Sequence, residues 1–296
     1  MKQFWKVYFY LLRGYYPFFK QCPEEFHPYF IKKNFKLKNG YPLNLDNPKT
    51  LNEKIWWLLL NEDLSVKSRL TDKIEAKEWA KNIIGEEHIS KTYEIWNTPE
   101  DINFDALPEA FVLKASHGCR MNIIVQNKTE FIKNFKEKAI NCMTKWLQTN
   151  YYNYNAEVQY KSIKPRILAE EYTVQTVDKR RTDYQIHCFN GEPIYIEHNW
   201  YKDGICNPFL YNTDCSQANF CFSYKYQKIE IEHTEHINEM LDMARKLSKD
   251  FKYVRVDFRD CKDRVIFGEM TFSPFSGFIK INPKEYDLKL GEKIIL

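Results

Sequence analysis

Long apolar runs are absent from this chain of 296 residues. No stretch reaches the roughly 18 consecutive apolar residues of a membrane-spanning helix, which excludes a spanning segment on that criterion. The eight cysteines form no Cys-x-x-Cys pair and keep no regular spacing, so neither a zinc ribbon nor a disulfide framework is indicated. That usage fits a reducing cytoplasm. An excess of one charge is lacking too: 44 Lys and Arg stand against 40 Asp and Glu, a formal charge of +4. This is too even to argue for nucleic acid as a partner. There is no Ser/His/Asp or Cys/His signature of a nucleophilic enzyme. Nor is there an Asp-x-Asp after a strand, a nucleotide-sugar glycine pattern, or an internal repeat.

What the chain does have is material for a core, with 44% hydrophobic and 16% aromatic residues. Its most informative stretch runs from Phe251 to Gly277. Two runs rich in Val, Ile, Phe and Tyr alternate on either side of the charged turn Arg259 to Asp263, predicting an antiparallel hairpin. Alternation sends Tyr253, Arg255 and Asp257 to one face and Val254, Val256 and Phe258 to the other. Glu269 and Thr271 share a face of the second strand. With both polar faces on one side of the hairpin, two carboxylates and a guanidinium converge, and a bound cation relieves the repulsion. An oxygen-only set from Asp257 and Glu269, without His or Cys, suits Mg²⁺ rather than zinc. The competing reading is an ordinary hairpin with a solvated charged face. Beyond it, Ser273-Pro-Phe-Ser-Gly277 predicts a turn that brings backbone donors near a ligand.

Elsewhere, Thr50 with Glu53 makes a capping box opening a helix through Ile55, Trp56, Leu58 and Leu59. Phe30 to Lys54 otherwise reads as irregular. Asp72-Lys73 precedes a helix with Ala76, Trp79, Ala80 and Ile83 inward, closed by Gly85. Phe111 to Lys114 predicts a strand ending in a lysine, and Asn122 to Val125 a second one. The small-residue loop between them is a device for holding phosphates or a plain structural hairpin. Glu130 to Leu147 predicts one helix and Tyr151 to Tyr160 no regular element. Arg166 to Tyr172 predicts a strand, Asn190-Gly191 a hairpin turn, and Cys206 to Tyr226 a long excursion or edge elements. His233 and His236 read as solvated helix positions, and Glu239 to Leu247 as a helix. Residues 1–20, aromatic and basic, predict either a helix packed on the protein's own surface, the favoured reading, or an interfacial helix.

In order, Thr71-Asp72-Lys73, Leu107-Pro108 with Phe111-Val112-Leu113-Lys114 and His117-Gly118, Glu170-Glu171-Tyr172, Asp183-Tyr184-Gln185 with Phe189-Asn190-Gly191, and Val254-Arg255-Val256-Asp257 with Gly268-Glu269-Met270-Thr271-Phe272 resemble the ATP-grasp superfamily. The likeness is nearest to its TupA-like branch of teichuronopeptide and polysaccharide-biosynthesis proteins. The resemblance implies an α+β ATP-grasp fold, two α+β subdomains clasping ATP, behind an N-terminal helical or irregular extension. The spans it implies are an extension over 1–50, a helical region over 51–107, a subdomain with the phosphate loop over 108–168, and a subdomain with the metal site over 169–296. Lys73 and Lys114 would contact the nucleotide phosphates, and Ser116, His117 and Gly118 would form the closing loop. Glu170, Glu171 and Tyr172 would be the hinge at the adenine, and Asp183 counts among the nucleotide-binding residues. Asp257, Glu269 and Thr271 would hold Mg²⁺, and Arg255 would stabilise the transferred phosphate. Three positions depart from the pattern. Thr271 replaces a frequent metal-binding Asn, Gln185 a frequent Lys, and the loop reads Ser-His-Gly-Cys-Arg where a glycine-richer version is usual.

The expected activity is an ATP-dependent carboxylate–amine ligation through an acyl phosphate. It would amidate a uronic acid of a capsular, O-antigen or cell-wall glycan or its precursor, in the cytoplasm or at the inner face of the membrane. Peripheral membrane contact through residues 1–20 accompanies this reading, and the oligomeric state is open. The alternatives are a glycosyltransferase or other transferase of the same pathway, and a non-catalytic module of the same fold.

Overall fold

The computed structural model describes residues 8–10, 23–173, 182–202, 205–222, 234–261 and 263–296. Two antiparallel sheets organise it. The first, in spatial order β1-β4-β3-β5-β2, is built from β1 (Tyr8–Tyr10), β2 (Thr92–Trp96), β3 (Phe111–Ala115), β4 (Asn122–Val125) and β5 (Ile167–Glu171). The second, in order β11-β10-β6-β7-β8, is built from β6 (Thr182–Phe189), β7 (Glu192–Lys202), β8 (Ile205–Asn212), β10 (Tyr253–Cys261) and β11 (Arg264–Thr271). A small pair joins β9 (Cys221–Phe222) to β12 (Ile281–Asn282).

The alternation read from the sequence decides how the second sheet packs. Val254, Val256 and Phe258 are buried together with Met240, Ala244 and Leu247 of helix α8 (Ile237–Ser248), which lies across β6, β7 and β10. Helix α1 (His27–Asn39), α2 (Leu51–Asn61), α3 (Leu64–Thr71) and α4 (Lys73–Ile84) contribute to this same core. The first sheet has its own core against α5 (Lys128–Asn134) and α6 (Lys136–Leu147). Burial of such apolar faces supplies roughly 25 cal/mol per Å² and dominates the stability of both layers.

Most predicted elements are present, with local corrections. The capping box opens α2, with Thr50 accepting from the Glu53 N–H. Asp72 caps α4 by accepting from Ile74 and Glu75, and Gly85 closes it. At the β6–β7 turn, Asn190 (φ 48°) and Gly191 (φ 82°) both lie in the left-handed region, the geometry that dipeptide favours. Phe30 to Lys54 is not irregular throughout. Ile31 and Phe35 bury one stripe of α1 while lysines occupy its other positions, which hides the apolar period from a sequence reading. The expected helix over 130–147 is two, because Phe135 (φ −135°) interrupts the turn between α5 and α6. Residues 151–160 hold the short helix α7 (Tyr152–Asn155) and a 3₁₀ turn. At the N-terminus, Tyr8–Tyr10 pairs with β4 as an edge strand rather than a helix, in keeping with the strand preference of Tyr and Phe. The rest of residues 1–20 lies outside the described residues, as does His233. His236 is not a solvated helix position: it stands at the start of α8 with its ring on Asp260, 2.8 Å away. Strand β5 crosses the expected division at 168/169, and β2 joins the sheet of β3 and β4 through β5.

The C-terminal helix α9 (Glu285–Glu292) is tied to α2 by Asn52, which is fully buried. Its side chain accepts from the Ile279 N–H at 2.7 Å and donates to the Ile279 carbonyl and to Asp287, both at 3.0 Å. Asn52→Ala takes the partner from the buried Ile279 N–H and carbonyl, while Asp287 keeps the Asn52 backbone N–H and the Tyr41 hydroxyl, so it should lower the unfolding free energy by about 2 kcal/mol. Urea titration measures this, and a loss below about 1 kcal/mol contradicts the tie.

Candidate functional site

Strand register assembles the site. In the pairing of β10 with β11, Arg255 lies opposite Thr271 and Asp257 opposite Glu269; across β6, Arg255 faces His187 and Asp257 faces Gln185. Opposed residues share a face, so all six side chains stand on the side away from α8. A bulge follows at Asp257/Phe258. Gly268 sits there because a Cβ would lie 3.0 Å from the Asp257 carbonyl oxygen. Bulges of this kind re-aim neighbouring side chains.

Arg255 grips Asp257 with two bonds of 2.7 Å and also donates to the Thr271 hydroxyl at 3.1 Å. Glu269 lies 3.6 Å from the same guanidinium and accepts from Thr271 at 3.2 Å. Gln185 donates to Asp257 at 2.9 Å. Arg255 is buried, whereas Asp257 and Glu269 keep part of their surface open. Burial pushes the Asp257 carboxyl up to about 7, with Arg255 opposing and Glu269 adding to the rise. For Glu269, burial also works upward, but Lys73 and Arg255 outweigh it and hold the carboxyl below its usual range. Among the described residues no group of three or more His, Cys, Asp or Glu forms a metal cage. The set does fit Mg²⁺, which is commonly held by one or two carboxylates and completed by substrate phosphates. The observation behind that fit is the Asp257 carboxyl, whose ionisation burial and the neighbouring Glu269 both oppose.

The lysines stand across from these carboxylates. Lys114 is the penultimate residue of β3, which runs on to Ala115 rather than ending at the lysine, and its ammonium lies on Glu170 of β5. Glu170 also receives Lys77 of α4 at 2.9 Å and has Arg259 at 4.0 Å. Arg259 in turn lies 3.9 Å from Asp183, so this cluster spans both sheets. Burial lowers Lys114 to about 8, with Glu170 opposing and Arg259 assisting. Burial raises Glu170, but Lys114, Lys77 and Arg259 outweigh it and hold its carboxyl far below the ordinary range. Lys73 reaches the loop after β3 instead: its N–H donates to the Ser116 carbonyl at 3.1 Å and its ammonium to the Gly118 carbonyl at 2.5 Å.

Within the loop, Ser116 is fully buried with its hydroxyl on Asp72 and its N–H on the Arg166 carbonyl. The His117 ring is also buried and lies 2.9 Å from the Trp146 carbonyl. The loop therefore offers backbone rather than side chains, beginning at His117. Asp72 locks this arrangement, since it caps α4 while taking Ser116 and Arg166 (3.0 Å). Alternation along β5 separates the two acids of the hinge: Glu170 points to the lysines, Glu171 outward to Arg264 at 2.8 Å. The Tyr172 hydroxyl bonds Gln126.

Sequence reasoning missed Lys77, Arg259 and Glu157. Lys77 lies one turn after Lys73, a helical spacing that carried the signal. Arg259 continues the 253, 255, 257 alternation, and the strand, read as ending before it, includes it. Glu157 gave no periodic signal. It is buried and accepts at 2.6 Å from Ser273 in the turn after β11, beside Ser276, while Gln159 donates to the same Ser273 hydroxyl.

The family model described as TupA-like ATPgrasp matches residues 53–295, which makes the chain an ATP-grasp protein. It belongs to the TupA-like family of that class. Among curated proteins none matches the sequence. Similar solved structures include D-alanine–D-alanine ligase from Bacillus anthracis complexed with ATP, at 16% identity and a TM-score of 0.41, covering 69% of this chain and 54% of that one. The ATP-grasp ligase PsnB complexed with minimal precursor shares 13% identity at a TM-score of 0.39, with 72% and 56% covered. N5-carboxyaminoimidazole synthetase from Staphylococcus aureus complexed with ADP shares 13% at 0.39, with 68% and 43% covered. The chain thus spans about half the length of these relatives.

Burial raises the Glu157 carboxyl from 4.5 to about 7, with Ser273, Ser276 and Lys38 opposing. The folded state therefore holds this proton more tightly than the unfolded chain. The resulting stability is complete below about 4.5 and is lost as pH rises through about 7. Glu157→Gln keeps the shape without the titration. Between about pH 5 and pH 8 the wild type should lose up to about 3 kcal/mol more than this variant. Parallel slopes in urea unfolding at the two pH values would contradict the assignment.

Proposed function

We propose that the protein is an ATP-dependent carboxylate–amine ligase working through an acyl phosphate. The observation that carries this is the pairing of Asp257 with Glu269 around Arg255, across from Lys73 and Lys114. A carboxylate oxygen of the acceptor attacks the γ-phosphorus of ATP, the bond to ADP breaks, and an acyl phosphate forms. An amine then attacks the acyl carbon, releasing inorganic phosphate and a proton and leaving an amide.

Lys73 and Lys114 bind the nucleotide phosphates, and the backbone of His117 and Gly118 lies over them, with Ser116 as the buried anchor of that loop. Because Lys114 already has an internal anion in Glu170, phosphate binding exchanges one negative partner for another and spares the buried ammonium an unpaired state. The backbone of Glu170, Glu171 and Tyr172, with Asp183, lines the nucleoside end, while the Glu170 side chain stays on the lysines and that of Glu171 on Arg264. Arg255 orients and neutralises the transferred phosphoryl group. Mg²⁺, held by Asp257 and Glu269 beside the Thr271 hydroxyl, neutralises charge on the phosphoryl oxygens when bound. The acceptor is a glycan or glycan-precursor carboxylate such as a uronic acid, the class implied by the resemblance to the teichuronopeptide branch, and the donor is an amino acid or amine. The site of action is the cytoplasm, at or near the inner face of the membrane; among the described residues no helix is long and apolar enough to cross a bilayer.

Lys114→Ala should weaken binding of a non-hydrolysable ATP analogue by about tenfold or more; unchanged affinity in calorimetry contradicts the phosphate assignment. Asp257→Asn and Glu269→Gln should each reduce ADP release, assayed with uronic acids and amines, by about a thousandfold. Glu269→Gln should leave thermal unfolding nearly unchanged, whereas Asp257→Asn, which takes the main counter-charge from the buried Arg255, should also lower the unfolding temperature. Wild-type rates in both remove the metal-site assignment, and turnover that requires a nucleotide sugar points to a transferase.

A further inference from the structure

The outer face of α1 has no part in the site, and it combines apolar exposure with one sign of charge. At about 100° per residue, Phe26, Tyr29, Lys32, Lys33, Lys36 and Leu37 fall within an arc of about 140°. His27, Ile31 and Phe35 lie opposite and are buried in the protein. The face is therefore presented by a helix whose other side is fixed. On it Phe26 is 50%, Tyr29 60% and Leu37 82% exposed, and the three lysines between them are exposed as well. Lone exposed apolar residues are ordinary; three on one helical face, interleaved with lysines, form an interfacial pattern.

Charge is also unevenly distributed along the chain. Residues 1–40 hold eight basic against two acidic side chains, a net +6, while the whole chain carries +4, so the remainder carries −2. One of those two acids, Glu24, is paired to Lys161 at 2.8 Å. Glu25 is the single acid at the start of the face. With Lys32, Lys33 and Lys36 against Glu25 alone, the aromatic-flanked face is itself net positive, complementary to anionic headgroups over an apolar interior.

We propose that the outer face of α1, from Phe26 to Leu37, docks the protein on an anionic bilayer. Tyr29, Phe26 and Leu37 enter the headgroup boundary and the lysines contact lipid phosphates. The folded molecule needs no rearrangement, because the buried stripe of α1 stays in the core. This proposal is independent of the ligase reading, and its test uses no substrate.

The test is co-sedimentation of the full chain with phosphatidylcholine vesicles, with and without about 30 mol % phosphatidylglycerol. The wild type should bind the anionic vesicles and be released by raised salt. Combined Lys32→Gln, Lys33→Gln and Lys36→Gln should weaken binding by about a hundredfold. Tyr29→Ser with Leu37→Ser should weaken it by roughly tenfold. All five positions are exposed, so the thermal unfolding of both variants should match the wild type. Absence of wild-type binding, equal binding to neutral vesicles, or full binding by the variants overturns the proposal. So does dimerisation in solution that is lost in Tyr29→Ser/Leu37→Ser, which assigns the face to a second copy.

Discussion

The arrangement depends on holding two carboxylates side by side against their mutual repulsion. Asp257 and Glu269 are opposed on neighbouring strands, and a buried guanidinium two residues from Asp257 keeps the pair together. Such a cluster is costly to desolvate and persists only when its surroundings fix it. The fixing comes from the opposite face of the same strands, where Val254, Val256 and Phe258 are sealed by α8. Function and stability thus occupy alternate residues of one strand.

A second charged cluster performs the same service between the sheets. Glu170 gathers Lys77 and Lys114 from α4 and the first sheet and Arg259 from the second. With three cations around one carboxylate, the cluster is left net positive, and its charges sit where water is scarce and interactions are strong. Asp72 complements it by fixing the start of α4 to Ser116 in the loop after β3. In the proposed reaction these two clusters face each other across the nucleotide.

Much of this was legible from local pattern. The β10–β11 alternation, the Asn190-Gly191 turn, the Thr50 capping box and the β3 strand that carries Lys114 each follow from rules acting over a few residues, and each is present. What escaped were features decided by distant partners. Lys77 is buried in a helix whose small residues suggested an apolar stripe, and only its pairing with Glu170, 93 positions away, explains it. Glu157 is likewise held by Ser273, 116 positions on. The α1 helix was hidden because lysines surround its two core residues, and the opposite directions of Glu170 and Glu171 follow from a strand register that two adjacent acids do not reveal.

The central claim is that Asp257 and Glu269 form a nucleotide-linked cation site. Calorimetric titration of the protein with a non-hydrolysable ATP analogue, with and without Mg²⁺, tests it most directly. The account predicts binding that Mg²⁺ strengthens in the wild type and leaves unaltered in Glu269→Gln. Equal affinity with and without Mg²⁺ in the wild type, or an undiminished Mg²⁺ effect in Glu269→Gln, would contradict it.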